Sequence, residues 1–253
     1  MKTNLVDIIL PNYNKHKFLD ETITSVLNQS CSDWRLFIID NNSKDKSRSV
    51  IEKYENNNQI RSIFLKKNMG VAFSRNLGIR LSTSKYIAFL DSDDIWHPLK
   101  LKKQLNFMEK NNFMFTFTSY SPFKSINGKK IFKKKIIPNK SYDLNDFILD
   151  TTIATSSMII KSDITKCIFF SKKYFNEDYN YKCKLLTKCK QAYNLNENLT
   201  YYRITKKSRS SYKFKSLYSI FKSNKELLKI NLLKNLKSLF YISLRSIKKY
   251  GFK

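Results

Sequence analysis

Short apolar runs alternate with longer amphipathic segments through the first hundred residues, and this alternation constrains the fold more than any other feature. The longer segments place apolar residues at helical spacing, as in "FLDETITSVLNQS" (18–30). The runs have the length of buried strands: "LVDIIL" (5–10), "RLFIID" (35–40), "IRSIFLKK" (60–67) and "KYIAFL" (85–90). Strands joined by helix-length connections predict an α/β fold with a mostly parallel sheet and helices on both faces. Ligands of such sheets bind at the carboxyl ends of the strands.

The second half of the chain mixes strand and helix signals and ends in a basic segment. We predict helices over 98–110 and over "EDYNYKCKLLTKC" (177–189). Strands are predicted at "FMFTFTSY" (113–120), the edge strand "KKIFKKKIIP" (129–138), "TSSMIIK" (155–161), "AYNL" (192–195) and "LTYYRI" (199–204). From residue 213 onward, Leu, Ile and Phe recur every three or four residues between lysines. This spacing predicts an amphipathic helical extension (213–253) attached to a domain of residues 1–212.

Charge and cysteine spacing limit the classes of protein. Lysine and arginine number 48 against 20 acidic residues, and the net charge of +28 attracts nucleic acid, anionic lipid or phosphorylated small molecules. The four cysteines lack the CxxC spacing of a zinc site, so we expect reduced thiols. No run approaches the roughly 18 apolar residues of a membrane span, and no signal peptide opens the chain. We therefore expect a cytoplasmic protein, soluble or peripheral to a membrane.

Three carboxylates follow the fourth apolar run directly, in "IAFLDSDDIWHP" (87–98): Asp91, Asp93 and Asp94. A single Asp at the end of a strand most often caps the next helix or turn. Two carboxylates one residue apart repel each other, so a cation between them lowers their energy. Oxygen ligands on a loop suit Mg²⁺ or Mn²⁺, which complete their coordination with substrate phosphates. These residues alone leave both capping and metal binding open.

Four stretches, in order and spacing, resemble the nucleotide-sugar-binding half of family 2 glycosyltransferases. They are "DIILPNYNKHKFLDETITSVLNQS", "FIIDNNSKD", "NMGVAFSRNLGI" and "YIAFLDSDDIWHP". A weaker continuation through "TSSMII", "NEDYNYKCKLL" and "LTYYRI" is similar to bacterial transferases of the teichuronic-acid, lipopolysaccharide and capsule types. The resemblance implies a GT-A fold, which is a Rossmann-like α/β domain, with a nucleotide-sugar half (1–110) and an acceptor half (111–212).

On the donor side, the resemblance implies that Pro11 and Tyr13 hold the nucleobase, most often uracil, with the Tyr13 ring stacked on it. Asp40 and Asn41 stand where the family carries two aspartates, and the one that accepts the uracil N3 proton aligns with Asn41. An amide oxygen can accept the same hydrogen bond, although it constrains the choice of base less. Arg75 is implied near the nucleoside and diphosphate. Without the resemblance, the simplest interpretation is that Tyr13 is an exposed side chain on a loop and that Arg75 is a solvated residue of a helix.

The resemblance also orders the three loop acids. It implies that Asp93 binds the Mg²⁺ or Mn²⁺ that bridges the diphosphate of the donor, a UDP-sugar in most relatives. Asp91 is implied to bind the ribose hydroxyls or to assist the metal, and Asp94 to support the loop. The metal would neutralise charge on the departing nucleoside diphosphate.

A second acidic pair, Glu177-Asp178, lies at the start of the predicted helix 177–189. The family places its general base at the aspartate of such a pair, which implies that Asp178 takes the proton of the acceptor hydroxyl. A single displacement at the anomeric carbon then inverts its configuration. Taken alone, the pair is more simply explained as acids that stabilise the positive end of a helix.

Two positions depart from the family pattern on the acceptor side. Lys182 stands where near relatives carry an aromatic residue, which predicts a cationic pocket suited to an anionic or phosphorylated acceptor. Thr205 stands where many members carry a His, so we expect Arg203, with Lys206 and Lys207, to contact the diphosphate instead.

These inferences together predict an inverting, metal-dependent glycosyltransferase that moves a sugar from a UDP-sugar to a growing surface glycan. The acceptor would be lipid-linked, at the inner face of the plasma membrane. The helical extension would either bind anionic lipid or pack on the domain. One alternative is a decayed relative that binds nucleotide sugar without turnover. Another is a nucleic-acid-binding protein, but convergent acids at a sheet edge oppose a phosphate-backbone groove, so we expect no nucleic acid.

Overall fold

The part of the chain that the structure describes folds into one ten-stranded mixed sheet flanked by helices. The computed structural model of the protein describes residues 5–126, 128–205 and 212–250, except for the side chains of 248–250. The strands are β1 (Val6–Asn12), β2 (Trp34–Asp40), β3 (Ile60–Phe64), β4 (Tyr86–Phe89), β5 (Ile95–Trp96), β6 (Phe115–Ile126), β7 (Lys129–Phe132), β8 (Ser141–Tyr142), β9 (Ile159–Lys161) and β10 (Ala192–Arg203). The helices are α1 (His16–Leu27), α2 (Ser47–Glu52), α3 (Val71–Leu81), α4 (Lys100–Asn111), α5 (Leu144–Leu149), α6 (Ser162–Thr165), α7 (Glu177–Cys189), α8 (Lys213–Glu226) and α9 (Leu232–Tyr250).

The sheet order confirms the predicted mostly parallel arrangement. Its main path runs β3-β2-β1-β4-β9-β6-β10-β5, with β7 paired to β6 and β8 paired to β10. The longest ladders, β1–β2 and β6–β10, are parallel, whereas β9 lies antiparallel between β4 and β6. Asn12 of β1 pairs with Asp40 of β2, so the carboxyl ends of these strands finish side by side.

Helices cover both faces of the sheet because its strands are apolar on both faces. Every residue of β1 is buried. On one face, α1 and α4 bury Leu19, Ile23 and Leu105 against the sheet. On the other face, α3 and α7 pack with α5. Gly78 allows α3 to lie close on β1, since a Cβ at that position would stand 2.6 Å from Cγ2 of Ile9.

A buried carboxylate ties β1 to its neighbours. Asp7 accepts hydrogen bonds from Arg35 on β2, at 3.0 Å from both Nε and Nη2. It also accepts bonds from the Ser82 hydroxyl and from the backbone N–H groups of Thr83 and Ser84. Burial acts to raise the pKa of Asp7, but these donors outweigh burial and lower it. The charge of Asp7 therefore stabilises the edge of the sheet opposite the strand carboxyl ends.

Three predicted strands differ from the structure. The start of "TSSMIIK" forms a 3-10 turn, Thr155–Ser157, and only Ile159–Lys161 pairs as strand. The Ser157 hydroxyl and N–H both donate to the Ala154 carbonyl, a local bond that competes with strand pairing. The two short strands predicted at 192–195 and 199–204 are one strand, β10, with two register shifts near Asn198.

The C-terminal helices pack on the domain. α8 contacts α7, and α9 contacts α5 and α8. Ile220 and Ile242 join the buried cluster of that face of the sheet. Within the ranges that the structure describes, no helix is both long enough and apolar enough to cross a bilayer.

Candidate active site

A cavity of about 1100 Å³ lies at the carboxyl ends of β1, β2 and β4. Its volume lies slightly above the roughly 300–1,000 Å³ range of small-molecule sites. Residues of α3, α7, α8 and α9 complete its wall. Among the predicted site residues that the structure describes, all but Asp40 line it: Pro11, Tyr13, Asn41, Arg75, Asp91, Asp93, Asp178 and Arg203.

One serine shapes the acidic loop that follows β4. The Ser156 hydroxyl donates to Oδ2 of Asp94 at 2.6 Å and accepts from the backbone N–H of Asp91 at 3.1 Å. The Ser156 carbonyl accepts from Nε1 of Trp96 at 2.7 Å. Asp94 is buried, and burial together with the neighbouring carboxylates raises its pKa well above the usual value. Asp94 therefore bonds the protein itself, while Asp91 and Asp93 carry the partly exposed carboxylates of the loop.

Lys15 lies on Asp93. Its Nζ is 2.5 Å from Oδ2 of Asp93, an ion pair across 78 residues of sequence. Burial raises the pKa of Asp93 more than the Lys15 ammonium lowers it. The ammonium group of Lys15 thus occupies the carboxylate that the family resemblance predicts to be a metal ligand.

The donor set fits a hard divalent cation. Asp91 and Asp93 place carboxylate oxygens in the cavity wall, and such oxygens are the preferred ligands of Mg²⁺ and Mn²⁺. In the described parts of the chain, His, Cys, Asp and Glu side chains do not converge in groups of three or more that could hold a metal. Ligands from a bound diphosphate would have to complete the coordination of an ion held here.

Arg75 joins the two acidic pairs. Its Nη2 donates to Oδ1 of Asp91 at 2.6 Å, and its Nη1 donates to Oε1 of Glu177 at 2.8 Å. The guanidinium is buried and stacks over the Phe170 ring at 5.1 Å. Burial acts to lower the pKa of Arg75, but the carboxylates of Asp91, Glu177 and Asp178 raise it, so the side chain stays charged. Arg75 therefore connects the loop after β4 to the start of α7.

Arg203, at the end of β10, is held against the acidic loop. Its backbone N–H donates to Oδ1 of Asp94 at 2.9 Å, and its Nε donates to the Asp93 carbonyl at 2.8 Å. The rest of the guanidinium pairs with Glu21 and with the Ser125 hydroxyl. These contacts hold the acidic loop in position, and Arg203 remains in the cavity wall. Lys206 and Lys207, also predicted to contact the diphosphate, lie outside the described residues.

The predicted base lies at the first turn of α7. Oδ2 of Asp178 is 2.9 Å from Nζ of Lys182, one helical turn later, and the Thr155 hydroxyl donates to the same oxygen at 3.4 Å. Lys182 is buried, whereas the Asp178 side chain is about one-third exposed to the cavity. The carboxylate is therefore accessible from the cavity and has a buried lysine as its neighbour.

The predicted nucleobase residues lie at the ends of β1 and β2. Tyr13 is half-exposed in the cavity wall. The Asn41 amide donates to Oδ1 of Asn68 and accepts from the Met69 N–H, both at 2.8 Å. The remaining lone pair of that amide oxygen can accept another hydrogen bond. Asp40 is buried away from the cavity, where it accepts from the Asn12 side chain.

Comparison with known proteins identifies the family. The sequence model of glycosyl transferase family 2 matches residues 7–169. The chain belongs to glycosyltransferase family 2. It is 35% identical over 213 residues to TuaG of Bacillus subtilis, a protein named for teichuronic acid biosynthesis, and covers 84% of each chain. It is 30% identical over 217 residues to WfgD of Escherichia coli, covering 86% of this chain and 84% of the relative. That relative is named as a UDP-Glc:alpha-D-GlcNAc-diphosphoundecaprenol beta-1,3-glucosyltransferase.

Solved structures confirm the predicted GT-A fold. S. aureus TarS in complex with UDP-GlcNAc superposes with a TM-score of 0.75 at 19% identity, covering 96% of this chain and 72% of that chain. The mannosyltransferase PcManGT from Pyrobaculum calidifontis, in complex with GDP-Man and Mn²⁺, superposes with a TM-score of 0.69 at 11% identity, covering 100% and 77%. The protein is a glycosyltransferase of family 2, as its motifs predict.

Sequence reasoning missed three residues that organise the site: Lys15, Ser156 and Glu21. The first two contact the loop acids directly, and Glu21 pairs with Arg203. The motif stretch 7–30 contains Lys15 and Glu21, but neither residue type distinguishes an ion pair from a solvated helix side chain. Ser156 lies in the segment 155–161, which the sequence predicts as a strand and which begins with a turn in the structure.

Proposed function

We propose that this family 2 enzyme is an inverting, metal-dependent transferase that moves a sugar from a UDP-sugar to a lipid-linked bacterial surface glycan. The observation that carries the proposal is the meeting of two acidic pairs, Asp91/Asp93 and Glu177/Asp178, in one cavity. Arg75 bonds one member of each pair. The first pair suits a divalent cation that would bind the donor diphosphate, and the second supplies an exposed carboxylate for the acceptor.

The donor is proposed to lie along the strand ends. Tyr13 offers a half-exposed ring for a base, and the Asn41 amide offers an acceptor for a base N–H. Asp91 and Asp93 would hold Mg²⁺ or Mn²⁺, which supplies charge neutralisation at the departing diphosphate. Support for a uridine donor and for a metal comes from the UDP-GlcNAc and Mn²⁺ named for TarS and PcManGT.

Asp178 is proposed as the general base. Its carboxylate takes the proton of the acceptor hydroxyl while that oxygen forms a bond to the anomeric carbon. The bond from that carbon to the diphosphate oxygen breaks at the same time, and the nucleoside diphosphate leaves with the electron pair. Lys182 holds the Asp178 side chain in place. Attack opposite the leaving group inverts the anomeric configuration.

The acceptor is proposed to be anionic and lipid-linked. Lys182, Lys213 and Arg245 place cations in the wall that α7, α8 and α9 build. Such a wall suits a phosphorylated acceptor, and WfgD is named for a diphosphoundecaprenol acceptor. A polyprenyl chain partitions into a bilayer, so we place the reaction at the cytoplasmic face of the plasma membrane.

The test is nucleoside diphosphate release from candidate nucleotide sugars, with Mn²⁺ and with a diphosphoprenyl-linked sugar as acceptor. Asp178→Asn should keep donor binding, seen as a thermal shift, and lose transfer. Asp163→Asn is the matched control, an exposed acid in the first turn of α6. Normal transfer by Asp178→Asn would remove Asp178 as the base. Donor binding with no release under any condition would support a decayed, donor-binding relative, which the Lys15–Asp93 ion pair favours.

A further inference from the structure

α8 and α9 turn polar side chains toward the protein. Asn224 accepts from the Tyr179 hydroxyl at 2.6 Å and donates to Oδ1 of Asn235 at 3.0 Å. The Asn180 amide donates to the Ser223 hydroxyl at 3.0 Å, and the Ser238 hydroxyl donates to the Ile148 carbonyl. All of these serines and asparagines are buried. This buried network fixes how the two helices are rotated, because another rotation would leave the buried Tyr179 and Asn180 side chains of α7 without these partners.

The same rotation turns an apolar stripe of α9 toward solvent. Leu233 is 81% exposed, Leu236 51% and Phe240 61%, and Leu244 continues the line. The spacing of three, four and four residues puts these side chains on one helical face, about 16 Å long. A surface helix of a globular protein normally buries that face and exposes the polar one. In α9 the inward face combines Ile242 with the buried Asn235 and Ser238, and a second apolar face is left in solvent.

The outward stripe is bordered by cations. Residues 213–250 contain ten lysines and arginines and one acid, Glu226. Lys234 and Lys237 are exposed on α9 itself, and Glu226 is paired with Lys173. A convex apolar helix face with flanking lysines is complementary to an anionic bilayer surface, where apolar side chains enter the headgroup boundary and ammonium groups meet lipid phosphates.

We propose that the outward stripe of α9, formed by Leu233, Leu236, Phe240 and Leu244, docks the enzyme on an anionic phospholipid bilayer. This inference rests on the proposed lipid-linked acceptor and specifies the surface and the orientation. Other residues of α9, among them Ile242, Ser243 and Arg245, line the cavity. One helix therefore faces both the bilayer and the site, and docking brings the cavity wall to the level of the lipid headgroups.

The test is co-sedimentation of the full chain with vesicles of phosphatidylcholine, with and without phosphatidylglycerol. The wild type should bind the anionic vesicles, and more weakly at high salt. L236S/F240S should reduce that binding at least about tenfold, because each substitution removes an apolar side chain that would enter the boundary. The matched control is I131S/I137S, which alters two apolar side chains of 51% and 60% exposure away from α9 and should bind as the wild type does.

A thermal shift with nucleotide sugar separates the two proposals. L236S/F240S should keep that shift, which shows an intact fold and donor site without reference to lipid. Equal vesicle binding by L236S/F240S and wild type would overturn the docking proposal, as would a wild type that does not sediment with anionic vesicles. If the wild type is a dimer in sedimentation velocity, L236S/F240S is a monomer and neither binds vesicles, the stripe would instead be a contact between two copies of the chain. If nucleotide sugar produces no thermal shift in the wild type, that result would count against the proposed function. It would not affect the vesicle result.

Discussion

Replacing Arg75 with Met should destabilise the protein more than any exposed charge substitution. The guanidinium bonds Asp91 at 2.6 Å and Glu177 at 2.8 Å, and the Arg75 and Glu177 side chains are almost fully buried. Met keeps most of the volume and removes the charge. Glu177 would then be a buried carboxylate deprived of its guanidinium, whereas the partly exposed Asp91 can be solvated.

The magnitude follows from that asymmetry. Removing one partner of a buried ion pair costs about 3–5 kcal/mol, because the other charge stays buried. Most of the loss should therefore come from Glu177. If so, R75M/E177Q should be more stable than R75M by at least about 1.5 kcal/mol, since the second substitution removes the buried charge.

Urea unfolding of the wild type, R75M, E177Q and R75M/E177Q completes a double-mutant cycle. The control is Arg48→Met, which breaks an ion pair of the same 2.8 Å length on the exposed face of α2 and should leave the unfolding midpoint unchanged. Additivity of the two single losses within about 0.5 kcal/mol would refute the reasoning, because it would mean that Arg75 and Glu177 act independently.

Two further predictions concern single charged groups. Lys15→Met should increase Mn²⁺ affinity, measured by calorimetry without sugar donor, because Oδ2 of Asp93 loses its ammonium partner. Lys17→Met, which alters an exposed neighbour, should leave the affinity unchanged. Equal Mn²⁺ affinities in the two variants would contradict this prediction. Asp7→Asn should lower the free energy of unfolding at pH 7 by about 3–5 kcal/mol. Because the folded-state pKa of Asp7 is below its usual 3.8, the difference from wild type should be constant above about pH 5 and shrink at lower pH, as acid protonates Asp7 first in the unfolded state and then in the folded state. A difference in the free energy of unfolding that increases at acidic pH would contradict this prediction.

The fold was predictable because its signals are local. β1 and β2 are built on short apolar runs, residues 8–10 and 36–39, and the helices between the first four strands repeat apolar residues at one period. Parallel strands then require crossovers of one hand, which leaves few topologies. Prediction failed where a side chain overrode the period, as at Ser157, whose hydroxyl bonds the Ala154 carbonyl and closes a turn.

The candidate site was predictable in residue types and positions but not in its contacts. The resemblance to the family nominated Asp93 and Asp178, and both line the cavity. It could not show that Lys15 pairs with Asp93 across 78 residues, or that Arg75 reaches Glu177 across 102. Such pairs depend on how elements distant in sequence pack together, and a single sequence carries no record of that.

The helical extension shows why periodicity gives a face but not its direction. Leu233, Leu236 and Phe240 predict an apolar side of α9 equally well whether that side packs inward or points outward. The deciding residues are polar: Asn235 and Ser238 occupy the opposite side, and both have hydrogen-bond partners in the protein. Turning the apolar side inward would leave those groups to water and gain apolar burial, yet the chain forms the other packing. Since such an arrangement forgoes burial that folding alone would favour, the outward face is best explained by a second apolar phase that it meets after folding.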